Sequence, residues 1–419
     1  MKRIGIVGVG GFAATVLHSI LFIEREGLAH LAAAVIRNPA KYPDVVKQMQ
    51  GEGRKVYPSL PEMLENEKGK FDIVSIPTGI PYHSEMAIQA LEAGCDVVLE
   101  KPIAATVQEV DAIIAAEKRT GHFCAIGYQH IHTPAIQSLR EEVENGRLGK
   151  IKRAKCYALW PRGRSYYERN SWAGQVKVEG RWVLDGPLTN ALAHFLHNMF
   201  YLIDAESGWR AAIESLRAEL YRGKDIPTYD TVCLRARMNQ GAEVFIALSH
   251  AVGQLQNPIM EIEAENASAV WMMDGAKAVI RYRDGTVRTV ETPSERDFHA
   301  DAFRDAIAVA EGKRARPLTT PLNGRPHVLA VDLAFESSGG ILNIPLSYRQ
   351  AASSSRPDRD AQIRGMEDII RRSFAEFKLF SELGAPWAQP GSEVRAAGYT
   401  EFPRSAQLRE ALSALTKRE

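Results

Sequence analysis

Ile4-Gly5-Ile6-Val7-Gly8-Val9-Gly10-Gly11-Phe12-Ala13 decides the fold of this chain. A short apolar strand runs into a glycine cluster, and over residues 15–26 apolar side chains recur at helical spacing. A glycine turn between strand and helix has two readings, an ordinary tight connection or a cradle for a pyrophosphate. In the second, Gly8 makes the turn and Gly10 lets the backbone approach the phosphates. Gly11, Phe12 and Ala13 then open a helix whose unpaired N–H groups face the anion. The chain that follows favours the cradle. Strand-like runs at 31–36, 71–76, 96–99 and 123–126 alternate with helix-like runs at 84–93 and 107–120. That alternation predicts right-handed crossovers and a doubly wound parallel sheet, so residues 1–127 are expected to form a Rossmann dinucleotide-binding domain.

From residue 151 the pattern changes. Runs at 151–160, 231–238, 244–250, 260–265, 268–274, 278–283 and 286–291 read as longer strands, joined by hairpin signals at Asn239-Gln240-Gly241, Asp274-Gly275 and Asp284-Gly285. The expectation is an α+β domain over 128–350 with an open, mainly antiparallel sheet, one face of it covered by helices at 189–203 and 297–311. Residues 351–419 are expected to be a helical extension. It starts with the charged, serine-rich Ser353-Ser354-Ser355-Arg356-Pro357-Asp358-Arg359-Asp360. A helix over 366–383 then carries an apolar stripe of Met366, Ile370, Phe374, Phe377 and Phe380, suited to packing on the body of the protein or on a second subunit.

The 419 residues exceed the usual size of one core. With 52 basic and 51 acidic side chains the formal charge is +1 and no long run has one sign, which argues against nucleic acid or an anionic membrane as the main partner. No stretch approaches the roughly 18 uninterrupted apolar residues of a membrane span. Met1-Lys2-Arg3 reads as the start of a strand and not as a secretory leader, because glycines interrupt the apolar run within a few residues. Cys95, Cys124, Cys156 and Cys233 lie far apart, without metal-ligand spacing, so no metal site is expected and buried thiols in a reducing cytoplasm are the natural reading.

Within the first domain, the second strand ends at Ile36-Arg37, where an NAD-selective site places an acidic residue for the ribose hydroxyls. Arg37 can instead stack on adenine and pair with a 2′-phosphate, which gives NAD(P) as cofactor with a lean to NADP; a solvated strand-end charge is the alternative. Thr78 and His83 flank the third strand-to-helix junction, as ribose or pyrophosphate contacts or as turn and capping residues. Glu100-Lys101-Pro102 ends the next buried strand. A lysine there can hydrogen-bond a hydroxyl that gives up its proton, with Glu100 orienting it beside the cofactor, although a surface ion pair would look the same. Tyr128, just past the last strand, is a candidate substrate contact.

In the second domain Asn190 and His194 stand four residues apart, on one face of the expected helix. His194 is the candidate proton acceptor, since a histidine titrates near working pH. Asn190 can bond adjacent hydroxyls, and His197 reads as a packing histidine. The stretch from Trp160 to Trp172 brings Arg162, Tyr167, Arg169 and Trp172 together, hydrogen-bond donors beside flat apolar faces. It suits pyranose rings or acidic sugars, or is an irregular loop packed by its aromatics.

In this order and spacing, Gly8-x-Gly10, Glu100-Lys101-Pro102 and a second-domain helix with His194 resemble the glucose-fructose oxidoreductase / inositol dehydrogenase / rhizopine-catabolism (Gfo/Idh/MocA) family over about residues 1–345. The resemblance implies oxidation of a sugar or cyclitol hydroxyl, a homodimer or homotetramer, Lys101 as catalytic lysine and His194 as catalytic histidine. The family's aspartate four residues before that histidine falls on Asn190, its acidic position three residues after falls on His197, and its intervening glycine falls on Leu192, the mark of a divergent subgroup. The resulting expectation is an NAD(P)-dependent dehydrogenase of a secondary hydroxyl on a sugar, sugar acid or cyclitol, with Lys101, His194 and Asn190 at the reacting centre. A redox-neutral, NAD-dependent glycoside-cleaving enzyme and a catalytically inactive sugar- or nucleotide-binding protein are the alternatives.

Overall fold

The computed structural model describes residues 1–207, 212–293, 297–350 and 362–416. Among these residues, β1 (Lys2–Val7), β2 (Ala29–Val35), β3 (Lys55–Tyr57), β4 (Ile73–Ile76), β5 (Asp96–Glu100) and β6 (Cys124–Gly127) pair in parallel as one sheet, in the order β3-β2-β1-β4-β5-β6. Their near-continuous apolar character follows from burial on both faces. The helices α1 (Phe12–Arg25), α2 (Pro43–Gly51), α3 (Leu60–Asn66), α4 (His83–Glu92) and α5 (Val107–Thr120) connect them. The strand order reverses between β1 and β4, and the crevice outside the carboxyl ends of strands at such a switch point is where ligands bind.

The second sheet holds ten strands: β7 (Ile151–Leu159), β8 (Ile213–Arg222), β9 (Thr231–Met238), β10 (Glu243–Ser249), β11 (Gln256–Ala264), β12 (Ala267–Met272), β13 (Lys277–Tyr282), β14 (Val287–Val290), β15 (Leu342–Asn343) and β16 (Val394–Arg395). Its order is β14-β13-β12-β11-β7-β10-β9-β8-β15, with β16 on the same edge of β8. Only β7 with β10 and β8 with β15 run parallel. All three hairpin signals sit between antiparallel neighbours. The sequence reading lacked β8, because Ile213, Leu216 and Leu220 recur at helical spacing and Glu219 looks solvent-facing. In the structure Glu219 is buried, accepting hydrogen bonds from Tyr221 Oη and Ser381 Oγ. In the same unit, α6 (Pro134–Glu144) packs on α8 (Ala193–Ser207) and α8 packs on β7, while the short α7 (Arg164–Glu168) lies in the loop after β7.

Three expectations are corrected. The helix expected at 297–311 is α9 (Phe298–Ala310), and it does not cover the large sheet. Its Ala300, Phe303, Ala306 and Ile307 are buried with Ile4, Val16, Ile20 and Val98 of the parallel-sheet unit. Asp297 caps α9 through the N–H groups of His299 and Ala300 and accepts a 2.8 Å hydrogen bond from Ser19 of α1. The first compact unit is therefore discontinuous, residues 1–104, 108–132 and, of the described chain, 297–325. Second, the helix expected from 189 starts at Ala193. Third, in the C-terminal extension the helix expected over 366–383 stops early. Its α11 (Met366–Glu376) ends where Phe377 turns left-handed at φ 58°, and Phe374 and Phe377 meet Tyr157 of β7 and Phe245 of β10 at ring separations of 4.6 and 5.2 Å. The apolar stripe thus lies on the protein's own sheet. The α10 (Pro321–Ser338) and α12 (Ala406–Thr416) helices complete the description, and the Ser353 to Asp360 run lies outside the described residues.

Candidate active site

The loop after β1 has the geometry of a phosphate cradle. Gly8 turns at φ 96°, a conformation that side chains rarely adopt, with its N–H on Val35 O at 2.9 Å and the buried Ala13 packed beside it. A Cβ at Gly10 would lie 2.1 Å from Tyr42 Oη, so a side chain there would have to displace the Tyr42 ring. The first turn of α1 has no capping side chain and no acidic residue, which leaves its partial positive charge to an anion. Phe12 is exposed and meets His299 edge-on at 5.5 Å. Beyond β2, Ile36 is buried and Arg37 exposed. After β4, Thr78 Oγ1 is buried with no partner among the described residues. Glycine clearance, an open helix terminus and an orphaned hydroxyl on one sheet edge fit a dinucleotide.

Lys101 follows β5 on that same edge. Glu100 before it is buried, accepts 2.9 Å from Gln129 Nε2, and closes over Gly127, where a Cβ would come within 2.7 Å of its carboxylate. Burial pushes the Glu100 carboxyl up to about 7 against the ionising pull of Lys101 and Gln129. Two histidines that the sequence reading missed share this field. Burial, His299 and Lys101 hold His130 down to about 4, and burial also lowers His299, with Asp297 opposing and Lys101 assisting. His130 lies two residues after Tyr128, but His299 comes some 200 residues after Lys101 and carries no local signal.

His83 and Tyr128 do not present themselves outward. The His83 ring is buried, with Nδ1 2.7 Å from Pro102 O and Nε2 3.0 Å from Thr78 O, so it ties the turns after β4 and β5 together, and burial keeps it below the usual histidine range. Tyr128 is fully buried, packed where Gly324 leaves room for its ring, and burial raises its hydroxyl.

In the second unit, Pro187–Ala191 forms a wide turn in which Leu192 N–H reaches Pro187 O at 2.9 Å, and Leu192 leaves helical geometry at φ −119°. Asn190 and His194 therefore do not share one continuous helical face. Asn190 Nδ2 donates 3.0 Å to Asp185, a carboxylate 1% exposed that also accepts from Gly174 N–H at 2.7 Å. The sequence reading passed over Asp185. His194 is buried at the start of α8 with its ring beside Phe195, and His197, fully buried against Tyr201, is held well below the usual range by burial, His327 and Arg140.

The loop after β7 gathers the expected aromatics and cations. The Arg162 guanidinium lies 4.9 Å from the Trp160 ring and 4.8 Å from Tyr166, and that of Arg169 lies 3.8 Å from Tyr166 and 5.1 Å from Trp172. Tyr167 Oη is 3.2 Å from His250 Nδ1, a partner that sequence reasoning did not supply. Asp185 acts on both Tyr166 and Tyr167, so the Asn190 turn and this loop form one polar network inside the unit.

Residues 2–128 match the family described as an oxidoreductase family with NAD-binding Rossmann fold. D-Glucoside 3-dehydrogenase of Escherichia coli (strain K12) is 31% identical over 157 residues, 38% of this chain and 43% of that protein, so the chain spans under half the length of this curated relative. Levoglucosan dehydrogenase, solved with NADH and levoglucosan, superposes with a TM-score of 0.67 at 20% identity over 80% of this chain and 96% of its own. The WlbA dehydrogenase of Bordetella pertussis, solved with NADH and UDP-GlcNAcA, gives 0.66 at 21% identity over 80% and 96%. At these identities the structures establish the shared fold.

Proposed function

Since residues 2–128 match the Gfo/Idh/MocA oxidoreductase family, we propose that the chain is an NAD(P)-dependent dehydrogenase of that family that oxidises a secondary hydroxyl of a sugar, sugar acid or cyclitol. One observation carries the reading: the phosphate cradle after β1 and Lys101 after β5 occupy one edge of one parallel sheet. When bound, nicotinamide supplies the hydride acceptor. The cradle residues Gly8, Gly10, Gly11, Phe12 and Ala13 would hold the diphosphate, and Thr78 would supply a hydroxyl to it.

Lys101 hydrogen-bonds the reacting oxygen and stabilises the charge that grows on it as its proton leaves, and His194 takes that proton. Glu100 is a positioning residue that acts through Lys101. Asn190, held by Asp185, hydrogen-bonds a neighbouring hydroxyl, and Arg162, Tyr167, Arg169 and Trp172 bind the rest of the ring. With Ile36 buried and Arg37 exposed where an acidic residue would select NAD, the cofactor preference leans to NADP. Four buried free cysteines suit a reducing cytoplasm, and no described helix is long and apolar enough to cross a membrane.

The test is a panel of sugars, sugar acids and cyclitols with NAD and with NADP, followed by the near-ultraviolet absorbance of the reduced cofactor. The reading expects reduction in proportion to ketone formed; glycoside cleavage without net reduction supports the redox-neutral enzyme instead.

A further inference from the structure

Two buried donors stand together at one end of the large sheet, with no acceptor among the described residues. One is Nε of Arg162, whose backbone N–H donates to His250 O at 3.2 Å. The other is Nε2 of His250, a residue 1% exposed. The Tyr167 hydroxyl lies 3.2 Å from Nδ1, and when it donates there the imidazole proton lies on Nε2, whereas an arginine Nε–H donates in every state. Burial, assisted by Arg162, Lys224 and Arg169, keeps the His250 ring neutral. The nearby carboxylates are already committed. Asp230 accepts from the N–H groups of Gly223 and Lys224 and from Thr231 Oγ1, and Asp185 accepts from Gly174 and Asn190. A buried donor left unmet is costly, so a pair of them amid three cations calls for an acceptor that brings negative charge.

We propose that Arg162 and His250 form a subsite for an oxyanion on the substrate, a carboxylate above all, so that the protein selects aldonic or uronic acids over neutral sugars. The inference rests on the sugar-binding reading of residues 160–172 given above and narrows it. The Arg162 guanidinium lies against the rings of both Trp160 and Tyr166, which restrict its motion, and the Tyr167 hydroxyl is the partner within reach of His250 Nδ1.

Calorimetric titration of the full-length protein with D-glucuronate, D-galacturonate, D-gluconate, glucose 6-phosphate and D-glucose tests the subsite, because binding needs no hydride transfer. At least one acid is expected to bind about 10- to 150-fold more tightly than glucose, the range of one charge-assisted hydrogen bond. The preference should collapse in Arg162→Gln and weaken in His250→Gln, with melting temperatures reported for both variants. Preference for glucose 6-phosphate alone keeps the oxyanion subsite and assigns it to a phosphoryl group. Equal or absent binding of acids and glucose overturns the subsite, as does a preference that survives both substitutions. An acid that binds selectively but never reduces NAD or NADP contradicts the dehydrogenase reading and leaves the subsite standing; reduction by neutral sugars with no acid preference does the reverse.

Discussion

The parallel-sheet unit and the large-sheet unit carry their candidate chemistry in different ways. In the first, main chain does most of the work: Gly8 and Gly10 clear space, the α1 terminus offers its partial positive charge, and Lys101 stands at a fixed place after a strand. In the second, the polar network is built from side chains far apart in sequence, among them Asp185 and Asn190 on one turn and Arg162, Tyr167 and His250 on others. Strand order alone dictates a main-chain site, whereas a side-chain network depends on register and packing. The first should therefore fail locally when altered, and the second should fail as a structure.

The largest expected effect is on Lys101. Lys101→Ala should lower kcat by about a thousandfold while the dissociation constant for reduced cofactor, read by fluorescence titration, stays within about threefold of wild type. Turnover that survives the substitution would break the assignment. Asp185→Ala, which leaves two buried donors unmet in the second unit, should cost about 3 kcal/mol in urea unfolding, and a loss of activity without loss of stability would show that the network is not structural.

Glu100 gives a pH signature of similar size. Its carboxyl is raised to about 7 in the folded protein, above the roughly 4.3 of an unfolded glutamate, so its stabilising contribution is complete below the unfolded value and is lost as pH rises through about 7. Between those limits wild type should lose about 4 kcal/mol that Glu100→Gln does not lose; melting curves that move in parallel would contradict the burial argument. The smallest effect concerns the cradle. Gly10→Ala should weaken cofactor binding by about 2 kcal/mol, and adding Tyr42→Ala should recover part of it by removing the ring that the new methyl meets. A double variant no better than the single one would place the cost elsewhere.

The first unit was legible because each of its signals is local. Gly8 to Ala13, Thr78 and Glu100-Lys101 each follow a short buried strand, and the alternation around them leaves few topologies. The α9 helix was misplaced because an apolar stripe says that a helix is buried, not against which sheet. Strand β8 was missed because Ile213, Leu216 and Leu220 fit a helix as well as a strand whose Glu219 is buried among partners from distant segments. Asn190 and His194 were expected on one helical face because the wide turn from Pro187 to Ala191 leaves the i, i+4 spacing unchanged while altering its geometry. Asp185 and His250 lack any flanking pattern, and only the folded chain shows what they touch.

The most direct measurement is transfer of label. The sugar that reduces cofactor best in the panel, deuterated at its reacting carbinol carbon, is incubated with the protein and NAD(P), and the nicotinamide is analysed by mass spectrometry. A dehydrogenase places one deuterium on the reduced nicotinamide for each ketone formed. Product formed with no deuterium on the nicotinamide, or with cofactor never reduced, would contradict the account.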